Sequence, residues 1–193
     1  GSPLQLVLSS VYHIDAPPGN INYSEAKKWM DNPFIAQAIP LAYGDNYKGY
    51  KIVGTTTDYI TKFEATVEKG KFFDKDFEVV LGYNIAENLG LKVGDSFLGT
   101  HGDAEEGEVH EDKPYKIVGI ASKTGKVLDN LILSNVTSVW NMHDHDHGEH
   151  AAHHDHDHSE HDHNHDHEHV DPLEGKEITA VLLKFRNKMG IIT

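Results

Sequence analysis

Between positions 143 and 169 the chain carries 13 of its 16 histidines together with nine carboxylates, and neither lysine nor arginine. A stretch so poor in apolar side chains cannot bury enough surface to offset the entropy of ordering it. It divides the sequence into a foldable body and a His/Asp-rich low-complexity loop, about residues 141–171, expected to be disordered without metal. The candidate ligands are His143, His145, His147, His150, His153, His154, His156, His158, His161, His163, His165, His167 and His169. Imidazole is neutral and ligating near neutral pH and suits Zn²⁺, Ni²⁺, Cu²⁺ and Co²⁺. The recurrent i, i+2 spacing puts neighbouring rings on one face only in an extended chain. A structural zinc site holds its ligand pairs across a turn, whereas here any three or four of 13 near-equivalent rings would serve. The pattern therefore reads as a sponge for Zn²⁺ or another divalent transition metal, without a fixed site and with no cofactor required for catalysis. Its plain alternative is a solvated acidic insert.

The same stretch dominates the electrostatics. It supplies −9 of the net charge of −14 and leaves the remaining residues only mildly acidic. If its rings titrate near the reference value of about 6.5, the loop passes from −9 to about +4 in mild acid. The acidic balance, with no basic patch, argues against a nucleic-acid partner. Cysteine is absent, which excludes disulfides, thiol catalysis and thiolate metal sites. No apolar run approaches the roughly 20 residues of a membrane helix. The chain opens without an initiator methionine or signal peptide, as expected of a processed protein or a piece of a longer one.

Local signals punctuate the body. Ser2-Pro3-Leu4-Gln5 has the form of a capping box, with Leu4, Val7, Leu8 and Val11 following at helical spacing, so an amphipathic helix is predicted from the first residues. Asn22 and Glu25 cap a second helix that Asn32-Pro33 stops. Strands are predicted at Ile39–Tyr43 and Tyr50–Val53, joined by a turn at Gly44-Asp45-Asn46, with Pro40 tolerable only at an edge or bulge. Further strands follow at 78–81, 96–98, 115–120, 131–133 and 178–185. A short helix around Ile85–Leu89 ends at Gly90, and another runs from Val136 to Met142 into the histidine stretch. Gly70 and Gly82 mark places where strands must turn. Strands outnumber helices and do not alternate with them regularly. The fold class is α+β, with a mixed or antiparallel sheet and short helices.

No signature of catalysis is present: there is no phosphate loop, no His-Glu-x-x-His and no Gly-x-Ser-x-Gly. Ser9, Ser10, Ser24 and Ser134 are hydroxyls to which sequence assigns no histidine or aspartate. His13 with Asp15, and His101 and His110 around Asp103–Glu108, are read as solvated loop residues that offer extra metal ligands at most.

The order of segments carries a further signal. Val53-Gly54-Thr55-Thr56-Thr57-Asp58-Tyr59, then Glu68–Phe73, then the run Val80–Phe97, then Tyr115–Ile120 with Thr124-Gly125 and Asp129, resembles the extracytoplasmic domain of MacB/FtsX-like (LolC/LolE-type) ABC transporter permeases. The resemblance covers about residues 50–135 plus the late strand, and the histidine run looks like an insertion. It implies two subdomains, residues 1–73 with 176–193 forming a membrane-proximal α+β part and 74–140 an inserted, mostly-β part. It also implies a non-catalytic, periplasmic domain of a bacterial inner-membrane permease. Its partners would be a cytoplasmic ABC ATPase subunit, a second permease copy or homologue, and an envelope protein, lipoprotein or peptide as substrate. The residues leave a second reading open, a free periplasmic zinc-binding or metal-buffering protein. Against it, only His13, His101 and His110 lie outside the loop.

Overall fold

The computed structural model describes residues 2–13, 19–100, 113–143, 173 and 175–187. In chain order the elements are α1 (Pro3–Ser10), β1 (Ile21–Asn22), α2 (Tyr23–Met30), β2 (Ile35–Tyr47), β3 (Tyr50–Thr55), α3 (Asp58–Lys62), β4 (Val67–Gly70), β5 (Glu78–Leu81), α4 (Tyr83–Leu89), β6 (Ser96–Phe97), β7 (Tyr115–Ala121), β8 (Ile132–Asn135), α5 (Val136–His143), β9 (Glu177–Ile178) and β10 (Ala180–Phe185). One mixed sheet runs β10-β2-β3-β8-β5-β7-β4, with β6 added to β7, while β1 and β9 pair separately. The pairs β3/β8 and β5/β7 are parallel and the others antiparallel. The class is α+β, as the element pattern implies. Strands from before and after residue 74 interleave in this sheet, β3 beside β8 and β4 beside β7.

The middle of the sheet is buried on both faces, which is why its strands read as unbroken apolar runs. Val53, Val80, Val118 and Leu133 face one core with Tyr59 and Ile60 of α3 and Leu128. Ile52, Val79, Leu81, Ile117 and Ile132 face the other with Ile85 and Ala86 of α4, Phe97 and Met142. A third, smaller cluster seats Val136 and Val139 of α5 against Ala26, Ala42 and Ile178.

The helix signals are realised locally. Ser2 accepts the Gln5 N–H at 3.2 Å to open α1, and Asn22 accepts from Ser24 and Glu25 to open α2. Gly90 takes the left-handed conformation after α4, and the Leu91 N–H returns to the Ala86 carbonyl. Pro40 sits where β2 has β10 as neighbour but is not yet paired to β3, whose register begins at Ala42; it is locally an edge.

Three expectations need correction. The β2/β3 turn is at Lys48-Gly49, both with positive φ, and not at Gly44-Asp45-Asn46, which lies inside β2 where the register shifts. Two successive positive φ values suit a tight hairpin because that turn matches the strand twist, and the extra residues are absorbed as a bulge. Gly82 does not turn the chain: its φ is an ordinary −64°, and a Cβ there would approach the Leu128 carbonyl oxygen to 2.3 Å. Close approach, rather than freedom, requires that glycine. Lastly, the final strand is broken at Thr179, whose N–H donates to the Leu41 carbonyl while its hydroxyl oxygen accepts the Tyr43 N–H, so a side chain replaces one rung of the ladder.

Candidate functional site

The histidine stretch leaves the body at the end of α5. His143 is the last residue of that helix, and the other twelve candidate ligands lie outside the described residues, as do Asp15, His101, His110 and the acidic run between those two. Among the described residues, no group of three or more His, Asp or Glu side chains is placed to hold a metal.

What can be described is the platform. Asn135 caps α5 by accepting the Ser138 N–H at 2.9 Å. At the other end the Lys113 ammonium donates to the Asn141 carbonyl, a cation placed at the negative pole of the helix. The Asp76 carboxylate collects the side chains of Asn135, Thr137 and Asn141. Trp140 donates its indole N–H to the Glu177 carbonyl at 2.7 Å and meets Tyr23 edge-on with centroids 4.9 Å apart. The helix that delivers the histidines and the strand that follows them are therefore tied side by side. Sequence reading places α5 correctly but offers no signal for this tie, because its two ends are 37 residues apart.

His13 is not a solvated loop residue. It is buried, takes a left-handed backbone (φ 56°) just after α1, and turns its ring back between two tyrosines. Nδ1 lies 2.5 Å from the Tyr43 hydroxyl on β2, and Nε2 lies 2.8 Å from the Tyr59 hydroxyl on α3. Tyr43 also donates to the Ser9 carbonyl. Burial, reinforced by the positive charge of Lys51, pulls the imidazole down to about 4, and burial pushes both phenols above their usual range. The partners of His13 are 30 and 46 residues away, so nothing in the sequence announces them.

The remaining polar candidates hold the fold. Asp129, buried, accepts from the Thr124 N–H and hydroxyl and from the Gly125 N–H at 2.7–3.2 Å, which fixes the turn between β7 and β8. Ser134 donates to the Glu78 carbonyl and bonds Ser138, while the Ser9 hydroxyl bonds the Leu6 carbonyl. Neither serine is joined to a histidine side chain.

The family profile described as the MacB-like periplasmic core domain matches residues 3–154. The chain belongs to that family. The structure of this MacB-like domain is similar to the extracellular domain of the noncanonic ABC-type transporter YknZ from Gram-positive bacteria, with a TM-score of 0.51 and 11% identity over 98% of this chain and 82% of that one. It is also similar to the periplasmic region of MacB from Actinobacillus actinomycetemcomitans (TM-score 0.49, 13% identity, 63% of this chain) and to a domain of a putative permease protein from Porphyromonas gingivalis (TM-score 0.39, 16% identity, 58% of this chain and 51% of that one). The MacB-like domain spans 58% of that MacB region. No curated protein resembles it closely enough in sequence to count as a match. Among the described residues no helix is long and apolar enough to cross a membrane.

Proposed function

We propose that this chain is the non-catalytic extracytoplasmic domain of a bacterial inner-membrane ABC permease, and that it couples ATP hydrolysis by a cytoplasmic partner to movement of a lipoprotein, peptide or similar envelope substrate. The observation that carries this reading is the family match over residues 3–154. The fold shared with a transporter's extracellular domain over 98% of the chain supports it. In this reading a second permease copy or a homologue completes the transporter, and the continuous sheet serves as a rigid lever: a structure packed on both faces passes on displacement with little loss. The test is reconstitution of the full-length permease with its ATPase in lipid vesicles. Deleting the domain should leave ATPase binding intact while abolishing stimulation of ATP hydrolysis by substrate. Unchanged stimulation would sink the proposal.

The histidine stretch is proposed to bind divalent transition metal as an appendage of this domain. Each ion needs three or four neutral imidazoles, so 13 rings hold about three or four ions, and affinity falls as the rings protonate between about pH 7 and pH 5. Zinc titration of the wild type and of a deletion of residues 143–169 reads this directly. A deletion that binds as many ions as the wild type would show that the ligands lie elsewhere.

A further inference from the structure

The cluster around His13 determines its own proton positions. The Ser9 carbonyl only accepts, so the Tyr43 hydroxyl donates to it. Nδ1, against the same hydroxyl, then donates to the Tyr43 oxygen. Nε2 is left as acceptor, and Tyr59 is its donor. One neutral tautomer, protonated at Nδ1, satisfies every group. A second proton on Nε2 reverses the last bond: Tyr59 must accept, and its own hydrogen loses the one acceptor it has among the described residues, on a phenol with no exposed surface. Such an orphaned buried donor is costly.

This cluster is also what holds α1. Among the described residues, every hydrogen bond joining residues 2–13 to the rest of the chain passes through Ser9, His13, Tyr43 and Tyr59. Apolar packing adds little, because Leu4, Leu6, Val7, Val11 and Tyr12 are all exposed and the residues α1 buries are Ser9 and Ser10.

We propose that His13, Tyr43 and Tyr59 form a proton-sensitive latch, docking α1 on the sheet while the imidazole is neutral and releasing it in mild acid. The groups that face the ring are Tyr43 from β2, Tyr59 from α3 and, as the nearby charge, Lys51 from β3, whose ammonium lies 5.6 Å from the Tyr43 ring centroid. No carboxylate among the described residues pairs with the ring, so nothing there compensates a positive imidazole. Docked, the ring is held to about 4; released into water it returns to about 6.5, so the ratio of released to docked α1 rises roughly 30-fold between pH 7.5 and pH 5. The latch belongs to the domain itself and does not depend on the transport reading.

The experiment is amide hydrogen exchange on the whole chain at pH 7.5 and pH 5, corrected for intrinsic rates. Protection of the α1 amides should fall roughly 30-fold on acidification through local release, from a level well below that of Val80 and Leu133, which exchange only on global unfolding and stay the better protected at both pH values. In His13→Gln, which retains the 13 loop histidines, α1 protection should not change with pH. Equal protection of α1 at both pH values in the wild type, or an equal fall in His13→Gln, overturns the latch. Because the variant risks misfolding, nitrogen-15 histidine spectra of the unaltered chain provide an independent reading. A neutral ring protonated at Nδ1 that persists below the loop histidines' midpoint is expected. An Nε2–H tautomer, or a midpoint for docked His13 near that of the loop, overturns the latch equally.

Discussion

The centre of the sheet and α1 treat apolar side chains in opposite ways. On β5 and β8 every apolar side chain from Val79 to Leu81 and from Ile132 to Leu133 is fully buried, successive residues entering opposite cores. On α1 and its C-cap most of the stripe is turned outward: Leu4 is 67% exposed, Val7 and Val11 are exposed, Leu8 is half-buried, and Ser9, Ser10 and the following His13 are the buried residues. Both segments are regular hydrogen-bonded elements rich in apolar side chains. They differ in what covers them, and that makes the first region the source of stability and the second an attachment held by a few polar bonds.

The widest gap between them should appear on truncation in the core. Leu81→Ala removes a side chain with no exposed surface and should cost about 2–5 kcal/mol in chemical denaturation, the usual cost of a buried cavity. A loss below 1 kcal/mol would mean that the two-faced packing is looser than described. Gly82→Ala probes the same region through crowding. The added Cβ meets the Leu128 and Asp129 carbonyls, which cannot rotate away, and about 3 kcal/mol of destabilisation is expected; a neutral result would show that the 127–130 turn can retreat.

The acid limb separates the regions by pH. Glu78, at the start of β5, is pushed up by burial, but the Asp74 N–H, the Lys71 ammonium and the Lys75 N–H outweigh this and hold it at about 2. A carboxylate lowered on folding contributes stability that is complete above its unfolded value of about 4.5 and is lost as pH falls from there towards 2. His13 is also lowered on folding, so the unfolded chain binds the extra proton and its contribution is lost earlier, as pH falls from about 6.5 to about 4. Thermal melts against pH should show Glu78→Gln flattening the limb below pH 4.5 and leaving the higher one alone. The reverse assignment would show that the two groups are misattributed. At the small end, Leu4→Ser on the exposed face of α1 should change global stability by no more than about 0.5 kcal/mol. A large loss would reveal that this face is covered within the isolated chain.

Elements whose causes lie within a few residues were legible. Ser2 and Asn22 cap their helices, Gly90 ends α4, and the strands of the double-sided core appear as apolar runs near their observed bounds. Elements whose causes lie far off were not. Gly44-Asp45-Asn46 has the composition of a turn, yet it stays extended because β3 pairs on both sides of the bulge and Asn46 bridges to Thr100. The Val67–Gly70 strand is too polar to read as a strand and exists because β7 offers its edge. Of the candidate ligands in the histidine stretch, only the backbone of His143 enters the described structure.

The sequence by itself determined the class, the caps, the places of the core strands and the segregation of 13 histidines into one stretch, because each rests on local periodicity, dihedral preference or composition. Only the tertiary structure decided that the α1 stripe faces outward, that Gly82 is needed for proximity, and that His13 is a buried, neutral link between Tyr43 and Tyr59. Those outcomes depend on which surfaces meet, and a surface 30 or 46 residues away leaves no trace in the neighbourhood of the residue it meets.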